Sequence, residues 1–149
     1  MLKIEINVDN CQWEKAIPDF SKHINQAVKK TFKSALKKSN PSFELSILLT
    51  SDKEIKRLNK LYRKKNNKTN VLAFPMNDNI NKSPVQLGDI AVSLETIIVE
   101  ARKFRIARKK YLCKMIIHGL LHLLGYDHID DNDFYVMNRL EKEILNKIN

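Results

Sequence analysis

The chain has 149 residues, of which 43% are hydrophobic and 30% charged, and this composition suits one compact domain over 1–149. Its three glycines are too few for a phosphate-binding loop or a dinucleotide fingerprint, and its two cysteines exclude a disulfide-stapled module or a cysteine-rich zinc ribbon. The N-terminus lacks the apolar run of a signal peptide and no stretch is long enough to span a membrane, so we expect a cytoplasmic protein that binds neither a membrane nor a nucleotide cofactor.

Net charge is the strongest global feature of the sequence. Lys and Arg number 27 and Asp and Glu 17, which gives a net charge of +10 at pH 7. Such a field attracts polyanions and makes binding to them salt-dependent, so it favours nucleic acid as the partner. The alternative explanation is the composition bias of a Lys- and Asn-rich genome.

The first half of the chain shows two strand patterns and two helix patterns. Apolar and polar residues alternate over 2–8, which predicts a strand. From Trp13 to Lys38 apolar residues recur at every fourth position, which predicts one long amphipathic helix ended by Asn40 and Pro41.

A second strand is predicted over 43–49, and a capping box then begins a further helix. In this box Ser51 precedes Glu54 by three positions, and the helix extends to about Tyr62. Its inward face is predicted to consist of Ile55, Leu58 and Tyr62.

The middle of the chain is predicted to be a basic loop between two structured parts. The polar run 63–70 leads into a short apolar strand over 71–74, closed by Pro75, and a flexible connection over 76–86 leads to a fourth strand over 87–92.

Three helices are predicted for the last third of the chain. Ser93 is a candidate cap for the first of them, whose inward residues are Leu94, Ile97, Ile98, Ala101 and Phe104. The second, over 111–124, is apolar nearly all round and is expected at the domain centre. Asp130 or Asp131 caps the last, amphipathic helix, which carries Phe134, Met137, Leu140 and Ile144. The sum is an α+β fold in which a mixed sheet of about four strands packs against about five helices.

Three histidines lie close together on and after the predicted central helix. His118 and His122 are four residues apart, so they project from one helix face and can reach the same metal ion. Gly125 is placed to end the helix in a left-handed conformation, which lets the chain turn back and bring His128 to the same point. Three imidazoles leave a fourth position open for water, as in catalytic zinc sites. A single histidine on an apolar helix can instead be a hydrogen-bonded core residue and not a metal ligand. The presence of a third histidine disfavours this alternative.

The spacing H-x3-H-x2-G-x2-H is that of the metzincin zinc peptidases, but one part of their site is missing. Those enzymes have Glu as general base directly after the first His, and this chain has Gly119 there. Peptidase chemistry is therefore disfavoured. A phosphodiester substrate needs no carboxylate base, because hydroxide on the metal can attack while cations stabilise the developing charge.

The segment 118–128, HGLLHLLGYDH, resembles the signature of the YbeY family, metal-dependent bacterial endoribonucleases that act in ribosomal RNA maturation. The segments 58–63, 68–75 and 87–90 are similar to the family's other blocks and follow in the same order. The resemblance implies Zn²⁺ on His118, His122 and His128, a functionally important Arg63, ribosomal RNA as the substrate, and small-subunit ribosomal components as partners. This chain departs from the family pattern by having Asn70 and Ala73 in place of Asp and Ser.

Arg63 is the candidate catalytic residue outside the histidine cluster. A planar guanidinium holds two phosphate oxygens at once, so we expect Arg63 to bind the substrate phosphate or stabilise the transition state. The alternative is a solvated charge at a helix C-terminus. Asp127 is a candidate to orient a ligand imidazole or, equally, to stabilise a turn, and Asp89 to orient a group of the site or to cap a helix.

A track for the RNA backbone is predicted from the basic residues near the site, although a solvated helix end is the usual meaning of such a charge run. The track consists of Lys64, Lys65, Lys68, Arg102, Lys103, Arg105, Arg108, Lys109 and Lys110. His23 is interpreted as structural, and Cys113 as a buried free thiol turned away from the metal.

The sequence therefore predicts a metal-dependent endoribonuclease that prefers single strands, with one zinc ion on three histidines, acting in ribosomal RNA processing. The first alternative is a non-catalytic, zinc-stabilised ribosome-assembly factor that binds ribosomal RNA. The second is a metzincin-like zinc peptidase.

Overall fold

The computed structural model describes residues 2–36, 42–76, 84–126 and 130–148. In these parts of the chain four strands and six helices follow one another as β1 (Leu2–Val8), α1 (Gln12–Ala16), α2 (Phe20–Ala35), β2 (Phe43–Thr50), α3 (Asp52–Arg63), β3 (Val71–Pro75), β4 (Val85–Ser93), α4 (Leu94–Lys103), α5 (Arg108–Leu123) and α6 (Asp131–Asn146).

The strands form one mixed sheet in the order β1-β2-β4-β3. β1 is parallel to β2, and β2 is parallel to β4, whereas β3 is antiparallel to β4. Parallel neighbours need long crossover connections, and here these contain α1 and α2 in the first case and α3 in the second. The predicted α+β fold with a four-stranded mixed sheet is confirmed.

The main core lies between one face of the sheet and the helices α2 and α5. α5 packs against α2, α4, α6, β3 and β4, and ten of its 16 residues are buried. This central position explains why its sequence is apolar nearly all round. The indole of Trp13 anchors α1 to the end of β2 by donating a hydrogen bond to the Thr50 carbonyl at 3.0 Å.

The other face of the sheet is partly covered by α3. Ile55 of α3 packs with Leu72 and Ala91 in a separate small cluster. The predicted capping residue is confirmed, because the Ser51 hydroxyl accepts a hydrogen bond from the Glu54 N–H at 3.4 Å. This packing places the C-terminus of α3 beside the edge strand β3.

The single helix predicted from Trp13 to Lys38 is wrong, because the chain leaves the helical conformation at Ile17 (φ −136°, ψ 84°). Ile17 precedes Pro18, and the proline ring disfavours the α conformation of the residue before it. α2 ends at Ala35, with Leu36 extended. The predicted stop at 40–41 lies outside the described residues.

Three aromatic residues predicted on inward faces are exposed. Tyr62 is 65% exposed, Phe104 52% and Phe134 57%. Phe104 follows the last residue of α4 and stacks on Tyr111 with ring centroids 6.0 Å apart, so the helix ends before the predicted stripe is complete. Ser93 precedes α4 as predicted, but its hydroxyl donates to Asp52 and does not cap the helix.

No helix within 2–36, 42–76, 84–126 and 130–148 combines the length and the apolar character that a membrane span requires.

Candidate active site

The open side of α5 carries two of the three predicted metal ligands. Apart from its exposed first turn, the helix is buried except at Lys114, His118 and His122, which recur every four residues on one face. The rings of His118 and His122 meet edge to face with centroids 4.8 Å apart. The structure therefore brings this pair together on a partly open surface.

Glu141 of α6 orients the first histidine. Its Oε2 lies 2.9 Å from Nδ1 of His118, and the glutamate is almost fully buried. This contact occupies Nδ1 and fixes the ring orientation, so Nε2 of His118 is the atom that would ligate a metal. Sequence reasoning missed Glu141. The available signal was an acidic residue between Met137 and Ile144 on the apolar stripe of α6.

The turn after α5 has the predicted conformation. Gly125 has φ +99°, its N–H donates to the His122 carbonyl at 3.0 Å, and the Tyr126 N–H donates to the Leu121 carbonyl at 3.0 Å. The chain thus reverses directly after the second histidine. His128 and Asp127 lie outside the described residues, and within 2–36, 42–76, 84–126 and 130–148 no group of three ligating side chains is found.

Gly119 brings α5 close to the sheet. A Cβ at this position would lie 3.2 Å from Cγ2 of Ile90 on β4, so any larger side chain would press on the core. Gly119 also lines the cleft beside the histidines, at the position where the metzincins carry their general base. The residue after His118 therefore contributes no acid or base.

Arg63 faces the two histidines across a cleft of about 540 Å³. It is the last residue of α3, and its Nη2 donates to the Ala73 carbonyl of β3 at 3.1 Å. This bond uses one of the five N–H groups of the guanidinium. The cleft is lined by Arg63, Asn70, Ala73, His118, His122 and Tyr126, among others.

The basic loop that follows Arg63 is fixed at both ends. Lys64 has φ 56°, and its N–H donates to the Lys60 carbonyl at 3.2 Å, which ends α3. Lys68 pairs with Asp52 at 3.3 Å. Lys64, Lys65 and Lys68 are all exposed, and Asp52 partly offsets the charge of the third.

Comparison with known proteins gives one consistent result. The family model described as "Endoribonuclease YbeY" matches residues 7–149. A curated "Endoribonuclease YbeY" of Bartonella quintana is 38% identical, with 99% of this chain and 94% of the relative covered. Another, of Vesicomyosocius okutanii, is 42% identical over 70% of this chain and 72% of the relative. The chain belongs to the endoribonuclease YbeY family. The predicted family membership is thus confirmed.

A solved structure supports the same fold. The solution structure of a Thermotoga maritima protein matches with a TM-score of 0.61 and 27% identity, covering 99% of this chain and 89% of that one.

This YbeY family member has a hydrogen-bond network around one of its two departures from the family pattern. The Asn70 side chain donates to Glu100 Oε1 at 2.8 Å, and the Tyr111 hydroxyl donates to the same oxygen at 3.0 Å. Burial, together with the charge of Glu100, raises the pKa of Tyr111 to about 12. At the other departure, Ala73 still supplies the main-chain carbonyl that holds Arg63.

The basic run of the YbeY family member lies at the far end of α5. Arg108 and His118 are separated by about 15 Å along the helix, at about 1.5 Å per residue. The Arg108 guanidinium donates to the Ala16 carbonyl at 3.4 Å. All six residues of the run are exposed, namely Arg102, Lys103, Arg105, Arg108, Lys109 and Lys110.

Asp89, the other residue predicted to orient a group of the site, is not brought to the histidines and does not line their cleft. β4 has a bulge at Leu87, because Glu44 pairs with Gln86 whereas the next residue, Leu45, pairs with Gly88. The bulge determines on which face of the sheet each following residue of β4 lies. Ile90 then faces Gly119, while Asp89 lies on the α3 side of the sheet. Partial burial and the charge of Glu5 raise the pKa of Asp89 there.

Cys113 and His23 also lie apart from the cleft. The Cys113 thiol is free and buried, as predicted, and its Sγ lies 3.6 Å from the His23 carbonyl oxygen. Burial raises the pKa of this thiol to about 11, which keeps it protonated and unreactive.

Proposed function

We propose that the chain is a single-strand-preferring endoribonuclease whose active site is the cleft between Arg63 and the His118–His122 pair. The observation that carries this proposal is that a guanidinium and two imidazoles from separate elements face the same cleft. The name of the family and of its curated relatives supports the reaction class.

The donor set fits a zinc ion. His118 and His122 supply nitrogen donors about one helical turn apart, and Glu141 holds the first ring through Nδ1. We propose His128 as the third ligand, because Gly125 turns the chain back directly after His122. When bound, zinc would supply a Lewis acid that activates water and polarises a phosphoryl oxygen.

Arg63 performs the electrostatic part of the reaction in this proposal. Its guanidinium binds nonbridging oxygens of the scissile phosphate and stabilises the negative charge that grows on them. The Ala73 carbonyl keeps the guanidinium in position before substrate arrives. Gly119 leaves room for the phosphate and takes no part in proton transfer, which disfavours the peptidase alternative.

The substrate class follows from charge. A net charge of +10 and the exposed basic loop 64–68 beside Arg63 support a polyanion that crosses the cleft. We propose ribosomal RNA in the cytoplasm as the substrate, with small-subunit ribosomal components as partners, as the family resemblance implies. The run from Arg102 to Lys110 would then bind the RNA backbone away from the cleavage point.

The test is cleavage of end-labelled single-stranded RNA by purified protein of known zinc content. We expect His122→Ala to abolish cleavage while the thermal midpoint shows a folded protein. His23→Ala is the matched control, because this histidine lies on α2 away from the cleft, and it should cut like wild type.

Cleavage that persists equally in His122→Ala would identify a contaminating nuclease. RNA binding without cleavage by any variant would instead support the assembly-factor alternative.

A further inference from the structure

A second, smaller recess adjoins the active-site cleft at His118. It has a volume of about 230 Å³, and its lining includes Asn70, Lys114, His118, Phe134, Met137 and Asn138. Asn70 and His118 line both spaces, so a chain lying in the cleft can continue into the recess. We propose that this recess binds the nucleotide next to the scissile phosphate, with its base against Phe134 and its phosphate on Lys114.

The shape of the recess suits one planar base. Its volume is below the roughly 300 Å³ at which pockets for drug-sized ligands begin. Met115 and Met137 are buried and supply apolar surface, whereas Phe134 is 57% exposed at the recess. The exposed part of an aromatic ring provides a stacking surface that any base can use. Asn138, half-buried on α6, adds a donor and an acceptor for a base edge.

Lys114 supplies the charge that a phosphate needs. It lies one turn before His118 on the open face of α5, and its ammonium is 5.9 Å from the ring centroid of Tyr111. Among the residues that the structure describes, Lys114 forms no ion pair with a carboxylate. The ammonium group is therefore available to an anion. Lys114 lies about 6 Å along the helix from His118, at about 1.5 Å per residue.

The recess and the cleft together define a path for a single strand. Lys114, His118 and His122 follow one another along α5, so a strand placed along this face has a cation on one side of the histidines and Arg63 across from them. This inference rests on the proposed nuclease function, and it assigns to Lys114 and Phe134 the binding of a neighbouring nucleotide and not the chemical step.

The first test measures kcat and KM for a short single-stranded RNA over a range of salt concentrations. We expect Lys114→Gln to raise KM several-fold, to change kcat little, and to reduce the slope of log KM against log salt by about 0.7, the contribution of one phosphate contact on a single strand. Lys29→Gln is the control, because it removes the same charge from an exposed position on α2. A KM and a salt slope equal to those of wild type would overturn the role of Lys114.

The second test moves one abasic site along the same RNA. We expect wild type to lose about 5-fold or more in kcat/KM when the abasic site lies next to the cleaved bond, as the loss of one stacked base predicts. Phe134→Leu keeps an apolar side chain but removes the ring, so it should cut the intact RNA more slowly and no longer respond to that abasic site. An unchanged response would overturn the stacking role.

The two proposals fail in different ways. If His122→Ala abolishes cleavage while Lys114→Gln and Phe134→Leu both behave as wild type, the nuclease function stands and the recess is not a subsite. If His122→Ala cuts like wild type, the nuclease proposal is overturned and the subsite with it.

Discussion

Glu141 and His118 are 23 positions apart in sequence, yet their side chains meet at 2.9 Å at the edge of the cleft. The glutamate is buried, so its carboxylate has exchanged water for the imidazole. A buried acceptor on Nδ1 holds the imidazole in one orientation and fixes which nitrogen would ligate a metal.

We therefore predict that Glu141→Gln weakens zinc binding by about 10–100-fold, the usual effect of removing a carboxylate behind a ligating histidine. The measurement is competition with a chelator of known affinity. Glu143→Gln is the control, because Glu143 lies on the same helix and pairs with Arg139 at an exposed position. Equal zinc affinity in wild type and Glu141→Gln would show that the contact serves the fold alone.

Periodicity predicted the parts of this fold that depend on neighbouring residues. The capping residues Ser51 and Asp130, the turn at Gly125 and the His118–His122 pair all follow from spacing along one element. The central position of α5 was predicted because its sequence is apolar nearly all round. Only a helix that is covered on several sides has so few polar residues.

Other features depended on contacts between distant segments. Glu141 is read from sequence as one more charged helix residue, and only the packing of α6 on α5 places it behind His118. The side of the sheet on which Asp89 lies depends on the bulge at Leu87, which shifts the alternation by one residue. The break at Ile17 was visible in Pro18, but the apolar period on both sides of it favoured a continuous helix.

Asn70 suits the carboxylate that it contacts. Its amide donates to Glu100, so Asn70→Asp would place two carboxylates side by side. We predict that Asn70→Asp lowers the free energy of unfolding by about 1–3 kcal/mol at neutral pH, and that adding Glu100→Gln restores most of it by providing a new donor. Urea denaturation of the two single variants and the double variant measures the coupling. Additive effects of the two changes would contradict the prediction.

The interactions of the Asp52 carboxylate make the stability of the fold depend on pH. Burial alone would raise the pKa of this carboxyl, but hydrogen bonds from Ser93 and Thr96 and the ammonium of Lys68 outweigh burial and lower the pKa. The charged Asp52 carboxylate therefore stabilises the fold in full above its unfolded-state pKa of about 3.9. This stabilisation is lost as pH falls through the lower folded-state pKa.

Asp52→Asn should accordingly cost about 1–3 kcal/mol near neutral pH, and its deficit relative to wild type should shrink in acid. Denaturation of both proteins between about pH 7 and about pH 3 measures this difference. Glu14→Gln, at an exposed position on α1, serves as the comparison variant. A deficit that stays constant across this range would show that the Asp52 charge does not contribute.

Arg63→Lys separates the charge of Arg63 from its geometry. A lysine ammonium keeps the charge but cannot bond the Ala73 carbonyl and hold two phosphate oxygens in one plane. We predict a fall in kcat of about 10²–10³-fold, the usual effect of losing a fixed donor to a developing oxyanion, with an unchanged thermal midpoint. Arg57→Lys is the matched control on the same helix, since Arg57 binds Glu54 and lies outside the cleft. Near wild-type cleavage by Arg63→Lys would mean that charge alone is sufficient, and that the bond to β3 only anchors the end of α3.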